Sequence, residues 1–240
     1  MKKIKLLVAG ILVSTALLTS CNSPEEKTTT ETTVDTTAAA KAPEPQPMTK
    51  PGNVLIIQEK VANFAKWKPM YESNDSIRRS YGLSNYIIGR GMSDSNKLVV
   101  ILRMDDPNKA KELTASQGMK DRMKKAGVSN PTFSYLNVVL NDSTPIEQTA
   151  RVMMTHKVKD WDAWKKVFDS HKQARIDAGL IDRGLGYSVD DNHMVSIVFA
   201  ITDMAKAKAF LSSPDLKAKM TEAGVEGAPT SVFYNIVQKY

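Results

Sequence analysis

The residues best suited to chemistry lie on one predicted helix in the second half of the chain. Trp161, Trp164 and Phe168 recur there at helical spacing, and His171 and Arg175 follow at the same spacing. Apolar and ionisable side chains therefore share one face of the helix. Histidine exchanges a proton near neutral pH, and an arginine one turn further on could hold a carbonyl or anionic group. The pattern predicts a pocket in which Arg175 holds the ligand, His171 moves a proton, and Trp164 and Phe168 form aromatic walls.

A second histidine is expected at the same cleft. His156 lies near the end of the strand that precedes this helix, and in the predicted topology the strand and the helix pack on each other. The candidate catalytic residues are His171, Arg175 and His156. The candidate ligand-binding residues are His156, Trp164, Phe168, His171 and Arg175.

The same side chains also admit a structural interpretation. A buried arginine needs an acceptor, because an unpaired buried charge is costly. Asp182 or Glu59 could supply that acceptor for Arg175, or the guanidinium could reach solvent at the domain edge. Trp164 and Phe168 could equally be core residues, since aromatic side chains bury the most area in a small core. The sequence leaves the two interpretations open.

Other chemistries have weaker signals. The histidines form no helical His-x-x-x-His pair and the chain has one cysteine, so we predict no metal site. His193 falls in a predicted turn, where we expect it to be exposed. The glycines at 89–91 and 184–186 lack the following helix of a phosphate loop. The net charge is +7, but no basic block is interleaved with aromatic residues. We therefore expect no cofactor and no nucleic-acid partner.

The segment that carries the site is duplicated within the chain. Moving back 97 positions places residues 61–83 on 158–180, and the match continues without a gap to 128 and 225. One inserted residue then shifts the offset to 98, after which Asn137 meets Asn235 and Val139 meets Val237. All three histidines fall in the second copy, where the first has Glu59, Asn74 and Asn96. The chain is therefore predicted to contain two copies of one fold.

Each copy reads as strand, helix, strand, strand, helix, strand. The predicted strands of the first copy are 54–60, 83–92, 97–104 and 131–140, and those of the second are 151–157, 180–189, 194–201 and 229–238. One helix runs from strand one to Gly82 or Gly179, and a second, interrupted near Gly118 or Ser213, ends at Gly127 or Gly224. This order predicts an α+β protein with two ferredoxin-like βαββαβ repeats.

Three motifs of the second copy resemble those of a known superfamily. They are Val-x-Asp-Trp-x-x-Trp-Lys-x-Val-Phe-Asp-x-His at 158–171, Asp-x-x-Lys-Ala-x-x-Phe-Leu at 203–211, and Ala-Gly-Val at 223–225. They resemble the dimeric α/β-barrel superfamily, which includes antibiotic-biosynthesis-monooxygenase-like domains. In that superfamily two units pack sheet against sheet, usually from two chains. The resemblance implies a fused version here, a monomeric pseudo-dimer that closes an intramolecular dimeric α/β barrel. It implies no single reaction, because the superfamily includes oxygenases, isomerases and haem-degrading enzymes. In the haem-degrading enzymes a histidine binds iron, for which His171 or His156 would be the candidates.

The first fifth of the chain has a different character. Three lysines and an apolar run from 6 to 18 read as a secretory signal, and Leu18 to Cys21 resembles the lipobox of bacterial lipoproteins. Cys21, the only cysteine, is the predicted lipidation site and membrane anchor. The following residues are rich in Thr, Ala, Pro and Glu and predict a disordered tether. We expect a cell-envelope location, in the outer membrane, periplasmic or surface-exposed.

The predicted organisation is therefore a signal peptide at 1–20, a lipidated cysteine and tether at 21–53, repeats at 54–140 and 151–240, and a linker at 141–150. Three functions remain open. The first is a non-catalytic or ligand-binding module for a small, partly apolar molecule. The second is a cofactor-independent enzyme of the monooxygenase or isomerase kind, with His171 as acid or base and Arg175 fixing an oxyanion. The third is a structural envelope protein that offers interaction surfaces.

Overall fold

A computed structural model describes residues 52–240, which form two copies of the same succession of elements. The first copy contains β1 (Asn53–Val61), α1 (Phe64–Ser73), α2 (Asp75–Ser80), β2 (Leu83–Gly91), β3 (Lys97–Met104), α3 (Pro107–Ala115), α4 (Gln117–Lys125) and β4 (Val128–Asn141). The second copy contains β5 (Ala150–Val158), α5 (Trp161–Ser170), α6 (Lys172–Asp177), β6 (Leu180–Ser188), β7 (Met194–Ile201), α7 (Met204–Leu211), α8 (Pro214–Glu222) and β8 (Val225–Lys239).

The eight strands close one barrel in the order β1-β3-β2-β8-β5-β7-β6-β4. Within the barrel, β2 pairs with β8 and β4 pairs with β6, so the two repeats join along two seams. All neighbouring strands are antiparallel, and β1 and β5 therefore run in the same direction. The predicted fold is confirmed: two ferredoxin-like repeats form an intramolecular α/β barrel.

The first strand of each repeat is buried on both faces. On β1, Leu55 and Ile57 pack under the helices of the first repeat, while Val54 and Ile56 point into the barrel. On β5, Val152 and Met154 pack under the helices of the second repeat, and Met153 points into the barrel. The alternation follows from the two-residue period of a strand. It yields one apolar layer beneath each helical face and a third inside the barrel.

The first predicted helix of each repeat is in fact two helices, which corrects the single helix expected from the sequence. The break falls at Asn74 and at His171, each of which has a φ below −90° and a ψ of 13°. In the second repeat the Ser170 hydroxyl donates to the Val167 carbonyl at 2.8 Å, and in the first the Asn74 amide donates to the Met70 carbonyl at 2.6 Å. Side chains of this kind compete with the helical hydrogen bonds and end the helix.

The last strand of each repeat also begins earlier than predicted, at Val128 and Val225. Gly127 and Gly224 have φ values of 72° and 73°, which end the preceding helices and start the strands at once. Pro131 and Pro229 lie where the register against β1 and β5 shifts. Prolines are tolerated at such bulges, so they do not mark the start of the strand.

The predicted signal peptide, Cys21 and most of the tether lie at positions 1–51, outside the described residues. Within residues 52–240, every helix is too short or too polar to cross a membrane.

Candidate functional site

The five predicted ligand-binding residues line a single cavity beneath the helices of the second repeat. The cavity has a volume of about 60 Å³. It lies between β5 and β7 on one side and α5 to α8 on the other. The residues that line it are His156, Trp164, Phe168, His171 and Arg175, with mostly apolar neighbours that include Met154, Phe199, Phe210, Leu216 and Met220. The five side chains that the sequence grouped therefore lie together.

The aromatic walls are set by α5. Asp160 caps this helix, and its side chain accepts a hydrogen bond from the Ala163 N–H at 2.7 Å. Trp164 stacks on Phe168 with ring centroids 5.1 Å apart, and Phe168 lies 6.4 Å from Phe199 of the sheet. Trp164 is buried. These rings serve the core and line the cavity at the same time.

His156 is the least satisfied polar side chain of the site. It is 4% exposed, and neither Nδ1 nor Nε2 has a hydrogen-bond partner among the described residues. Its ring lies 5.5 Å from that of Trp164. Burial lowers the pKa of His156 from 6.5 to about 4, because the apolar surroundings disfavour the charged imidazolium. At neutral pH His156 is a neutral imidazole with one donor and one acceptor to offer.

Arg175 is occupied by protein partners. Its Nε and Nη2 donate to the two carboxylate oxygens of Asp182 at 2.9 and 2.8 Å, and its Nη1 donates to the Phe168 carbonyl at 2.5 Å. The guanidinium also lies 3.7 Å above the centre of the Phe168 ring. Of the two acceptors that the sequence offered, Asp182 is the one used. The bidentate pair neutralises the charge beside the cavity.

His171 stands at the junction of α5 and α6, at the rim of the cavity. Its Nε2 lies 3.2 Å from an oxygen of Asp215, at the start of α8, and its ring is 5.7 Å from that of Phe210. His193 lies in the turn before β7, with its Nδ1 2.8 Å from Asp191 and its side chain 45% exposed. The structure therefore places His156 and His171 at the cavity and His193 away from it. Residues 52–240 contain no group of three or more metal-ligating side chains.

The first repeat has a counterpart of about 50 Å³ with different chemistry. Glu59 takes the place of His156, and Arg78 donates to the Asn85 side-chain oxygen at 3.1 Å and, at 3.5 Å, to Asp75 of its own helix. Burial raises the pKa of Glu59 to about 7, although a hydrogen bond from Trp67 opposes this shift. The two cavities are formed by equivalent elements, so they differ mainly in chemistry: the first repeat has a carboxyl where the second has an imidazole.

A larger cavity, which sequence reasoning missed, lies at one end of the barrel interior. Its volume is about 380 Å³. Four cationic side chains line it together with one carboxylate: Arg103, Arg151, Arg183, Lys239 and Asp142. These residues are far apart in the sequence, and closure of the barrel brings them together. A comparison of the two copies could have found three of them, because the first copy has Val54, Tyr86 and Asn141 where the second has Arg151, Arg183 and Lys239.

Comparison with solved structures supports the same fold. A proposed monooxygenase from Fusobacterium nucleatum superimposes with a TM-score of 0.52 and 12% identity, covering 80% of this chain and 94% of that chain. An anthrone oxidase-like protein gives a TM-score of 0.53 and 13% identity over 81% and 95% of the two chains. A proposed monooxygenase from Lactobacillus acidophilus gives 0.50 and 12% over 77% and 94%. The sequence matches no protein-family model and no curated protein.

At these identities the similarity defines the class of fold and nothing finer. The chain is an α+β protein whose two ferredoxin-like repeats close one α/β barrel, with a cavity under the helices of each repeat and a third at the barrel end.

Proposed function

We propose that the protein is a small-molecule-binding module of the bacterial cell envelope, with a binding site at His156. The observation that carries the proposal is a buried imidazole that lines an apolar cavity and whose two nitrogens have no hydrogen-bond partner among residues 52–240. A buried polar group without a hydrogen bond costs about 1–3 kcal/mol. A ligand that hydrogen bonds to His156 would remove that cost.

The surroundings favour an uncharged ligand. Asp182 neutralises Arg175, and the lowered pKa of His156 keeps its imidazole neutral at pH 7. A cavity of about 60 Å³ is smaller than the roughly 150 Å³ that holds a benzene ring. It therefore suits a very small molecule, or the polar tip of a larger one that enters past His171. Met154 and Met220 in the lining can change rotamer and enlarge it.

The hydrogen-bond partners of His171 and Arg175 favour binding over catalysis. An enzyme of the monooxygenase or isomerase kind would use His171 as acid or base and Arg175 to fix an oxyanion. His171 lies against Asp215, which could orient a catalytic histidine, but Arg175 already gives both edges of its fork to Asp182 and Phe168. If a reaction is found, His171→Ala should abolish turnover and leave ligand binding largely intact.

The envelope location in this proposal rests on the sequence of residues 1–51. The charged and apolar regions of a signal, the lipobox-like Leu18 to Cys21 and the tether together favour a lipid anchor at Cys21. Membrane attachment through that cysteine and a monomeric pseudo-dimer are parts of the same proposal. A structural envelope role is what would remain if no ligand were found.

The test is a thermal-shift screen with small neutral carbonyl and aromatic compounds. At ten times the dissociation constant, a ligand of the native state should add about 1.4 kcal/mol and raise Tm by roughly 3–6 °C. His156→Gln should remove most of that shift. His193→Asn, which installs the first-copy residue in an exposed turn, is the matched control and should retain it. An equal shift in His156→Gln, or no shift with any compound, would overturn the proposal.

A further inference from the structure

The cavity at the barrel end is distinct from the sites beneath the helices. Its walls are the inward faces of the strands, where Ile56, Ile101, Leu136, Val198 and Ile236 supply apolar surface. Its volume of about 380 Å³ lies within the range of small-molecule sites, roughly 300–1,000 Å³. Asp142 and Lys239 stand at the open rim. This cavity can therefore hold a ligand that is too large for the cavity at His156.

The lining is strongly cationic. Arg183 forms an ion pair with Asp142, in which Nη1 and Oδ2 are 2.9 Å apart, and its Nη2 donates to the Thr144 carbonyl at 2.6 Å. Burial and the charges of Arg151 and Arg183 lower the pKa of Lys239. Arg103, whose guanidinium lies 4.4 Å above the Tyr86 ring, adds a further positive charge. One carboxylate side chain, that of Asp142, thus stands among four cationic side chains of the lining.

Arg151 is a buried cation that donates its hydrogen bonds to neutral carbonyls. It is 3% exposed, and its Nη1 donates to the carbonyls of Gln148 and Ala150 at 2.8 and 2.9 Å. Within residues 52–240 it forms no ion pair. A buried guanidinium without a counter-charge is costly, because desolvation of the charge is repaid only in part by neutral carbonyls. Burial lowers the pKa of Arg151, as expected from that cost.

The barrel does not need these cations for packing. At the equivalent positions the first repeat has Val54 for Arg151, Tyr86 for Arg183 and Asn141 for Lys239. Val54 and Arg151 both point into the barrel, each next to the same strand of its own repeat, β3 or β7. Because the first repeat has neutral residues at these three positions, the fold does not explain the basic residues at the same positions of the second.

We propose that the barrel-end cavity binds a small organic anion, in which a carboxylate meets Arg151 and an apolar body lies along Ile56, Ile101 and Leu136. Arg183 and Lys239 add to the positive field at the mouth and draw the anion in. The planar fork of Arg151 matches a carboxylate, and two of its nitrogens, Nε and Nη2, are free of protein acceptors in the described part of the chain. This site is independent of the one proposed at His156.

The test is isothermal titration of the full chain with hexanoate and benzoate, against hexanamide and benzamide as uncharged analogues of the same shape. The carboxylates should bind on the order of ten- to a hundredfold more tightly than the amides, the range expected for hydrogen bonds to a charged group. Their affinity should fall as salt is raised. Equal affinity of acid and amide, or no binding by either acid, would overturn the proposal.

The key variant is Arg151→Val, which installs the residue of the first repeat. It should lose the preference for carboxylate while the ligand-free protein unfolds at a higher temperature, because the uncompensated buried charge is gone. Lys239→Asn is exposed and should fold normally, with a several-fold weaker affinity and a shallower salt dependence. His193→Asn, in an exposed turn, should bind the carboxylates as the unaltered chain does. Carboxylate binding unchanged in both Arg151→Val and Lys239→Asn would refute the assignment.

Discussion

The pair Glu59 and His156 allows one prediction to be worked out in detail. They occupy equivalent positions, 97 residues apart, and are 6% and 4% exposed. Burial raises the pKa of Glu59 from 4.5 to about 7 and lowers the pKa of His156 from 6.5 to about 4. Each change, at about 1.4 kcal/mol for a tenfold change in proton affinity, corresponds to about 3 kcal/mol of unfolding free energy.

The two contributions have opposite signs. Between pH 4.5 and 7 the folded chain keeps the proton on Glu59 while the unfolded chain has lost it, so the stability falls as pH rises. Between pH 4 and 6.5 the unfolded chain protonates His156 while the folded chain does not, so the stability rises with pH. Because the windows overlap, the two slopes nearly cancel in the native protein.

Single substitutions should expose the hidden slopes. In Glu59→Gln, which can still accept the Trp67 hydrogen bond, we expect the unfolding free energy to rise by about 3 kcal/mol from pH 4 to 6.5. In His156→Gln we expect it to fall by about the same amount from pH 4.5 to 7. Urea unfolding at half-unit pH steps measures both, and the other titrating groups are common to the two variants. Parallel profiles for the two variants would refute the reasoning.

Three further predictions concern packing and attachment. Asp182→Asn should lower the unfolding free energy in urea by about 3 kcal/mol, because it leaves the buried Arg175 without its carboxylate. In the first repeat Asn85 replaces this aspartate and Asp75 pairs with Arg78, so adding Lys172→Asp at the position of Asp75 should recover part of the loss. Unchanged stability of Asp182→Asn would contradict the buried pair. Gly89→Ala should cost about 1–3 kcal/mol, since a Cβ there would lie 2.2 Å from Tyr234, whereas Gly184→Ala, with Val198 at 3.6 Å, should cost less than about 0.5; equal Tm values would argue against the close approach. Cys21→Ala should move the full chain from the membrane to the soluble fraction, and retention on the membrane would exclude the lipid anchor.

The fold could be predicted from the sequence because helix starts and ends are marked in both copies of the repeat. Asp160 and Asp203 begin helices as caps, Gly179 and Gly224 follow their ends, and the two copies agree at these places. The break at His171 was not predictable from periodicity, because Phe168 and Arg175 remain on one face across it. Local side-chain hydrogen bonds decide that break, and the apolar pattern does not record them.

The two cavities differ in how far the sequence could reveal them. The residues at His156 come from one strand and the helices that follow it, so helical spacing and strand order were enough to group them. Arg103, Arg151, Arg183 and Lys239 come from β3, β5, β6 and β8. They meet only because the barrel closes with a particular register, which depends on pairings between the repeats such as β2 with β8. No local pattern carries that information.

Comparison of the repeats separates what the fold requires from what it leaves free. Positions that both copies keep apolar, such as Trp67 with Trp164 and Leu83 with Leu180, are buried in both and serve packing. Equivalent positions with equal burial and different chemistry have no such explanation. Glu59 with His156 and Val54 with Arg151 are pairs of this kind, and each lines a cavity. Since a buried imidazole or guanidinium costs stability, the binding sites proposed at His156 and Arg151 would give a reason for its presence in one repeat alone.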